Sequence, residues 1–149
     1  MIVYTRGLPG SGKTTIARRW VQETESGSRI YVDRDSLRMM LFGRWNTWLR
    51  DSEEDAVTEV QNATICTALN NGRSVIVANT FLLDERIEPL AEIAENFGVP
   101  LECIDLRHVP VDVCVQRDIM RGHKGERMVG AMVIHDMAER HNLPLEVTA

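Results

Sequence analysis

No apolar run in this 149-residue chain approaches the roughly 20 residues that a membrane-spanning helix needs, so a soluble protein without a membrane partner is expected. Met1 leads straight into the apolar "IVYT". A basic segment, a long apolar stretch and a small-residue cleavage site are all missing there, and a cytoplasmic location is expected. Cysteine is scarce and odd in number. Cys66, Cys103 and Cys114 are widely spaced and form no CxxC pair, which argues against a disulfide framework or a zinc site and for three reduced, mostly buried thiols. The four histidines show no ligand spacing either. Positive charge is not in excess: the net charge of -5 speaks against coating long nucleic acid through bulk electrostatics, while leaving room for a local basic patch. No repeat, linker or low-complexity segment divides the chain, and its length suits one domain over 1–149.

What is present is an alternation of two patterns. Short, two-sided apolar runs at "IVYT" (2–5), "RIYV" (29–32), "SVIVA" (74–78) and "LECIDL" (101–106) read as buried parallel strands. Helical patterns lie between them: 12–24, near 35–42, from a capping box at Ser52 and Asp55 to about Asn70, from Asp84 through Asn96, 110–121 and 129–141. Alternating strands and helices imply a doubly wound α/β domain with a parallel sheet of about four strands and right-handed crossovers.

The first crossover contains "GLPGSGKTT" (7–15). Gly7, Gly12, Lys13 and Thr14 satisfy G-x-x-x-x-G-K-[ST], between a strand and a helix as that phosphate-binding loop requires. Glycines let the backbone N–H groups wrap a β-phosphate, and the following helix adds its positive end. Gly7, Gly10, Ser11, Gly12, Lys13, Thr14 and Thr15 are therefore the candidate nucleotide site. Lys13 would reach the β and γ oxygens of ATP, and Thr14 would ligate Mg2+. The sensor elements of motors and switch GTPases are missing: no NKxD-like segment is present, and the third strand runs out in Ala78-Asn79-Thr80 without a carboxylate. A small P-loop kinase fits better.

Two further segments suit such a kinase. "YVDRDSLR" (31–38) puts Asp33 at a strand end and Asp35 and Arg38 on one helical face at the carboxyl edge of the sheet, where ligands of doubly wound folds sit. Asp35 can accept a hydroxyl proton and Arg38 can hold an acceptor phosphate. The same pair is also explained as helix-end electrostatics. "IYVDRDSL" superficially matches the DxDx[TV] pattern of aspartate-nucleophile phosphatases, but Leu37 stands where Thr or Val belongs. Arg44, Trp45 and Trp48 follow, a mixture of cations and rings that suits a nucleic-acid strand or a helix-turn with core aromatics; Trp20 reads as core. In "RDIMRGHKGER" (117–127), Arg117 and Arg121 share a face before the Gly122–Gly125 segment. That is the composition of a small arginine-bearing lid with glycine hinges, or of an exposed basic loop.

These segments, with "NTFLLDER" after the third strand and "QRDIMRG" before a terminal amphipathic helix, run in the order and spacing of the polynucleotide 5'-hydroxyl kinase family. The chain resembles, over about its whole length, the kinase half of phage polynucleotide kinase-phosphatase. The resemblance implies an ATP- and Mg2+-dependent kinase acting on 5'-OH ends of DNA or RNA, in nucleic-acid end repair. It implies Asp35 as general base, Arg38 on the adjacent acceptor phosphate, and Arg117 and Arg121 as lid arginines, Arg117 also contacting the nucleotide. Arg44, Trp45 and Trp48 would continue the acceptor site. The family pattern usually carries Asp where this chain has Asn79, and the phosphatase half has no counterpart. A kinase of a small metabolite, nucleoside or aminoacyl-tRNA, and a nucleotide-binding module without turnover, use the same loop and stay open.

Overall fold

A computed structural model describes residues 1–45 and 50–146. Strands β1 (Ile2–Arg6), β2 (Arg29–Val32), β3 (Ser74–Val77) and β4 (Leu101–Asp105) form one parallel sheet in the order β2-β3-β1-β4. All four apolar runs are strands. The helices are α1 (Lys13–Gln22), α2 (Arg34–Phe42), α3 (Asp51–Asn70), α4 (Glu88–Phe97), α5 (Val111–His123) and α6 (Ala131–Arg140). This is the P-loop NTPase-like α/β fold that the alternation implies.

Side chains alternate across a strand, so adjacent β1 residues serve opposite layers. Ile2, Val75 and Val77 pack with Val57 and Ile65 of α3 and Leu90 of α4. Val3 and Ile76 pack with Ala17 of α1, and Trp20 lies partly buried against them. A third cluster joins Leu8 of the loop to Val111 and Cys114 of α5 and Ile134 and Ala138 of α6. It seats the last two helices against the phosphate loop.

The helix ends depart from the sequence reading in two places. The N-terminus of α3 is capped by Arg50 and Glu53, not by Ser52 and Asp55: the Arg50 N–H donates to Glu53 Oε2 at 2.9 Å, and Ser52 and Asp55 are already inside the helix. Asp84 opens a 3-10 turn over Asp84–Arg86, and α4 starts at Glu88, because Pro89 has no N–H to donate and favours the first turn of a new helix. Of the three thiols only Cys114 is buried. Cys103 is exposed because β4 is an edge strand with an open outer face. Among the described residues no helix is long and apolar enough to cross a membrane.

Candidate active site

The phosphate loop is held at both ends. Gly7 N–H donates to the Thr80 carbonyl at 3.0 Å, tying the loop to the end of β3. Arg6 behind it is buried, donates to the Phe81 carbonyl at 2.8 Å and pairs with Asp84 at 2.8 Å. Gly10 and Gly12 have φ of 84° and 102°, where a β-carbon is strained. At Gly10 the need is also steric: a β-carbon would lie 2.3 Å from the Cys114 carbonyl oxygen of α5.

Past the loop, α1 begins at Lys13 with no side-chain cap and no acid in its first turn. Its orphan N–H groups and positive dipole end are therefore uncompensated by protein. The Lys13 ammonium donates to the Leu8 carbonyl at 2.6 Å. Burial lowers its pKa to about 8; Cys114 and Asp35 act against this, while Arg121 and Arg127 add to it. The hydroxyl of Ser11 is buried and has no partner. Thr14 and Thr15 are exposed at the helix start.

The acceptor side is built on α2. Asp33 is its cap: one carboxylate oxygen accepts from the Ser36 N–H at 2.8 Å and the other from the Ser36 hydroxyl at 2.7 Å. That leaves Asp35, two residues on and 40% exposed, as the carboxylate open to solvent. Arg38 donates to Asp35 Oδ1 at 2.8 Å and grips Glu54 of α3 through Nε and a terminal nitrogen at 2.7 and 3.0 Å. Glu54 also accepts from Arg34 at 2.7 Å. Hydrogen bonds from Arg38, then Arg34, hold the Glu54 carboxyl down at about 2 against the opposing effect of burial. Glu54 was not anticipated, although Arg34 and Arg38, four apart on one face, signal a shared carboxylate. Asn79 is tied on both sides of its amide: its oxygen accepts from the Arg34 N–H at 2.9 Å and its amide nitrogen donates to Gln61 at 2.8 Å. An Asp carboxylate there would keep the first bond and could not donate the second.

Arg117 reaches over the loop, its guanidinium 3.4 Å from the Gly10 carbonyl. Arg121 pairs at 2.8 Å with Asp118, a fully buried carboxylate that also accepts from the backbone N–H groups of Val129 and Gly130 at 2.8 to 3.1 Å. Asp118 fastens the return of the α5–α6 segment. Gly122 lies inside α5, and a β-carbon there would meet the Met128 sulfur at 2.8 Å. It is a packing glycine instead of a hinge. The structure places Asp35, Arg121 and Arg127 near the Lys13 ammonium, pairs Arg38 with Asp35 and lays Arg117 over Gly10. Arg44 instead pairs with Glu53 at 2.9 Å, Trp45 is exposed, and Trp48 falls outside the described residues.

Asp118→Ala should leave Arg121 and two backbone donors without their acceptor. Breaking such a buried ion pair costs on the order of 3 kcal/mol, and here the loss is expected to fall on residues 124–130. Amide exchange should quicken there first while β1 and β3 stay protected.

Comparison with known proteins agrees on the architecture. A chain of the Pnkp1/Rnl/Hen1 RNA repair complex superposes with a TM-score of 0.78 at 20% identity, covering 95% of this chain and 43% of that one. This chain thus spans under half the length of that protein. The Mycobacterium tuberculosis APS kinase CysC, solved with AMPPNP and APS, gives 0.61 at 18% identity over 93% and 96% of the two chains. A gluconokinase from Sinorhizobium meliloti 1021 gives 0.60 at 19% identity over 97% and 74%. At such identities the likeness is one of fold. No curated protein matches the sequence. The AAA_33 model, an AAA domain, matches residues 2–144, and on that match the chain belongs to the AAA_33 family of AAA domains.

Proposed function

We propose that the chain is an ATP-dependent polynucleotide 5'-hydroxyl kinase. The observation that carries this reading is the nearness of the Lys13 ammonium to the Asp35 carboxylate, with the Arg38–Glu54 pair behind the latter. The residues present suit a triphosphate: a half-buried cation, a helix start without acids and an unpartnered buried hydroxyl at Ser11. Thr14 at the helix start would hold magnesium, which when bound offsets charge on the phosphate oxygens. Asp35 accepts the proton of the acceptor hydroxyl as its oxygen attacks the γ-phosphorus. The bond from that phosphorus to the β-phosphate oxygen breaks, leaving ADP and a 5'-phosphate end. Lys13, Arg117 and Arg121 lower the energy of the negative charge spread over the transferring group.

Arg38 has five N–H donors, of which three are engaged with Asp35 and Glu54. The others are left for an acceptor phosphate. Arg38→Ala should raise KM for a 5'-OH oligonucleotide or a nucleoside 3'-phosphate on the order of 10- to 100-fold, the weight of a charged hydrogen bond. Plain nucleosides should be poor acceptors for the native protein. A small-metabolite kinase is the second reading, favoured by the pairing of Arg44 with Glu53 instead of an open basic strip. Transfer of labelled γ-phosphate from each nucleoside triphosphate to oligonucleotides, nucleoside 3'-phosphates and nucleosides separates the two. Equal use of nucleosides and oligonucleotides would overturn the polynucleotide reading.

A further inference from the structure

Arg127 has no role in the reaction as written above, yet it crosses the molecule. It lies between α5 and α6, and its guanidinium donates to Asp35 Oδ2, a contact between residues 92 apart in the chain. Arg38 holds the other oxygen, Oδ1, of the same carboxylate. A few residues on, Val129 and Gly130 are fastened to the buried Asp118. The segment carrying Arg127 is therefore moored twice, to the lid helix α5 on one side and to the acceptor helix α2 on the other.

We infer that Arg127 is a positioning residue that couples the arginine-bearing segment to the acceptor carboxylate, so that lid and base take up their working arrangement together. The inference rests on Asp35 being the acceptor-side base. Its physical content is geometric. A carboxylate offers about four lone-pair sites, and one guanidinium on each oxygen fixes the plane of the group while leaving sites for a hydroxyl. Asp35 is exposed enough for an acceptor to reach them. With Arg38 alone only Oδ1 is tied, and the carboxylate can turn away from the reacting hydroxyl. The charges facing Asp35 are Arg38 on its own helix, Arg127 from the α5–α6 segment and Lys13 from α1. Glu54 of α3 stands behind Arg38. Loss of Arg127 removes one of three cations and leaves Oδ2 without its protein donor.

The test uses the full chain with Arg127→Gln and Arg127→Lys. In Arg127→Gln, the Asp35 carboxylate carbon should shift and broaden in carboxyl-detected NMR at neutral pH, as expected of a group that has lost the donor on Oδ2. Amide exchange should quicken over 124–130 and stay unchanged in the sheet, and Arg127→Lys should restore part of both. In turnover, kcat should fall about 10- to 100-fold, as for a misplaced reacting group. KM for ATP should hold, so that the loss falls on kcat alone. An unchanged Asp35 carboxylate signal, or a rise in KM for ATP in place of a fall in kcat, would overturn the inference and leave Arg127 a structural tether. If the native chain phosphorylates no acceptor at all, the kinase reading fails by itself. The Asp35 carboxylate signal and the exchange of 124–130 still decide whether the coupling exists.

Discussion

Lys13→Ala should reduce phosphoryl transfer by at least about 10² to 10³, the cost of removing one preorganised charge-stabilising donor from a water-poor site. The fold should survive. In the resting structure the ammonium makes one hydrogen bond, to the Leu8 carbonyl, and burial has already lowered its pKa to about 8. The sign of that shift gives a second readout. Between about pH 8 and the ordinary 10.5 the unfolded chain binds more protons at this lysine than the folded one, so folding stability rises with pH across that window. The rise should vanish in Lys13→Ala. A bound triphosphate reverses the balance by favouring the charged form. Nucleotide binding near pH 8 to 9 should therefore take up protons, seen by calorimetry in buffers of different ionisation heat, and the variant should take up fewer. Full activity in a folded Lys13→Ala protein would remove the loop from the reaction.

Asp35→Asn is expected to lower kcat by about 10² to 10⁴, the usual worth of a general base, with nucleotide affinity changed little. The exchange is nearly isosteric, and an amide oxygen still accepts a hydrogen bond from Arg38, so packing at the start of α2 should be kept. Single-turnover rates with saturating oligonucleotide separate this effect from Arg38→Ala, which should act mainly through KM. An Asp35→Asn protein with native kcat would show that the carboxylate serves only the ion pairs with Arg38 and Arg127.

The strands and the loop's course between β1 and α1 were legible because their signals are local: two-sided apolar runs, and a motif whose second glycine, Gly12, answers to a positive φ. The Asp35–Arg38 pair was legible because residues three apart share a helical face. Glu54, Asp118 and Arg127 were not, since each acts through a partner far along the chain or through backbone donors that only folding brings near. In sequence, Glu54 is one acid among several in "DSEED", and nothing local separates it from Glu53, which turned out to cap α3. The hinge role expected of Gly122 failed for a similar reason, as the Met128 side chain that occupies its surface comes from the returning segment.

The strand order also says something about time. Of the four strands, the one synthesised first is central, with Ile2 beside Val75 on one flank and Leu101 on the other. At about 5 to 20 residues per second, β1 waits several seconds for either neighbour, and pairings between such distant segments form slowly in any case. Until residue 80 has been made, the carbonyl that anchors Gly7 does not exist. A nascent chain shorter than that carries the whole phosphate-loop motif with its local bonds to the Leu8 carbonyl but without the tie that fixes Gly7 against the sheet.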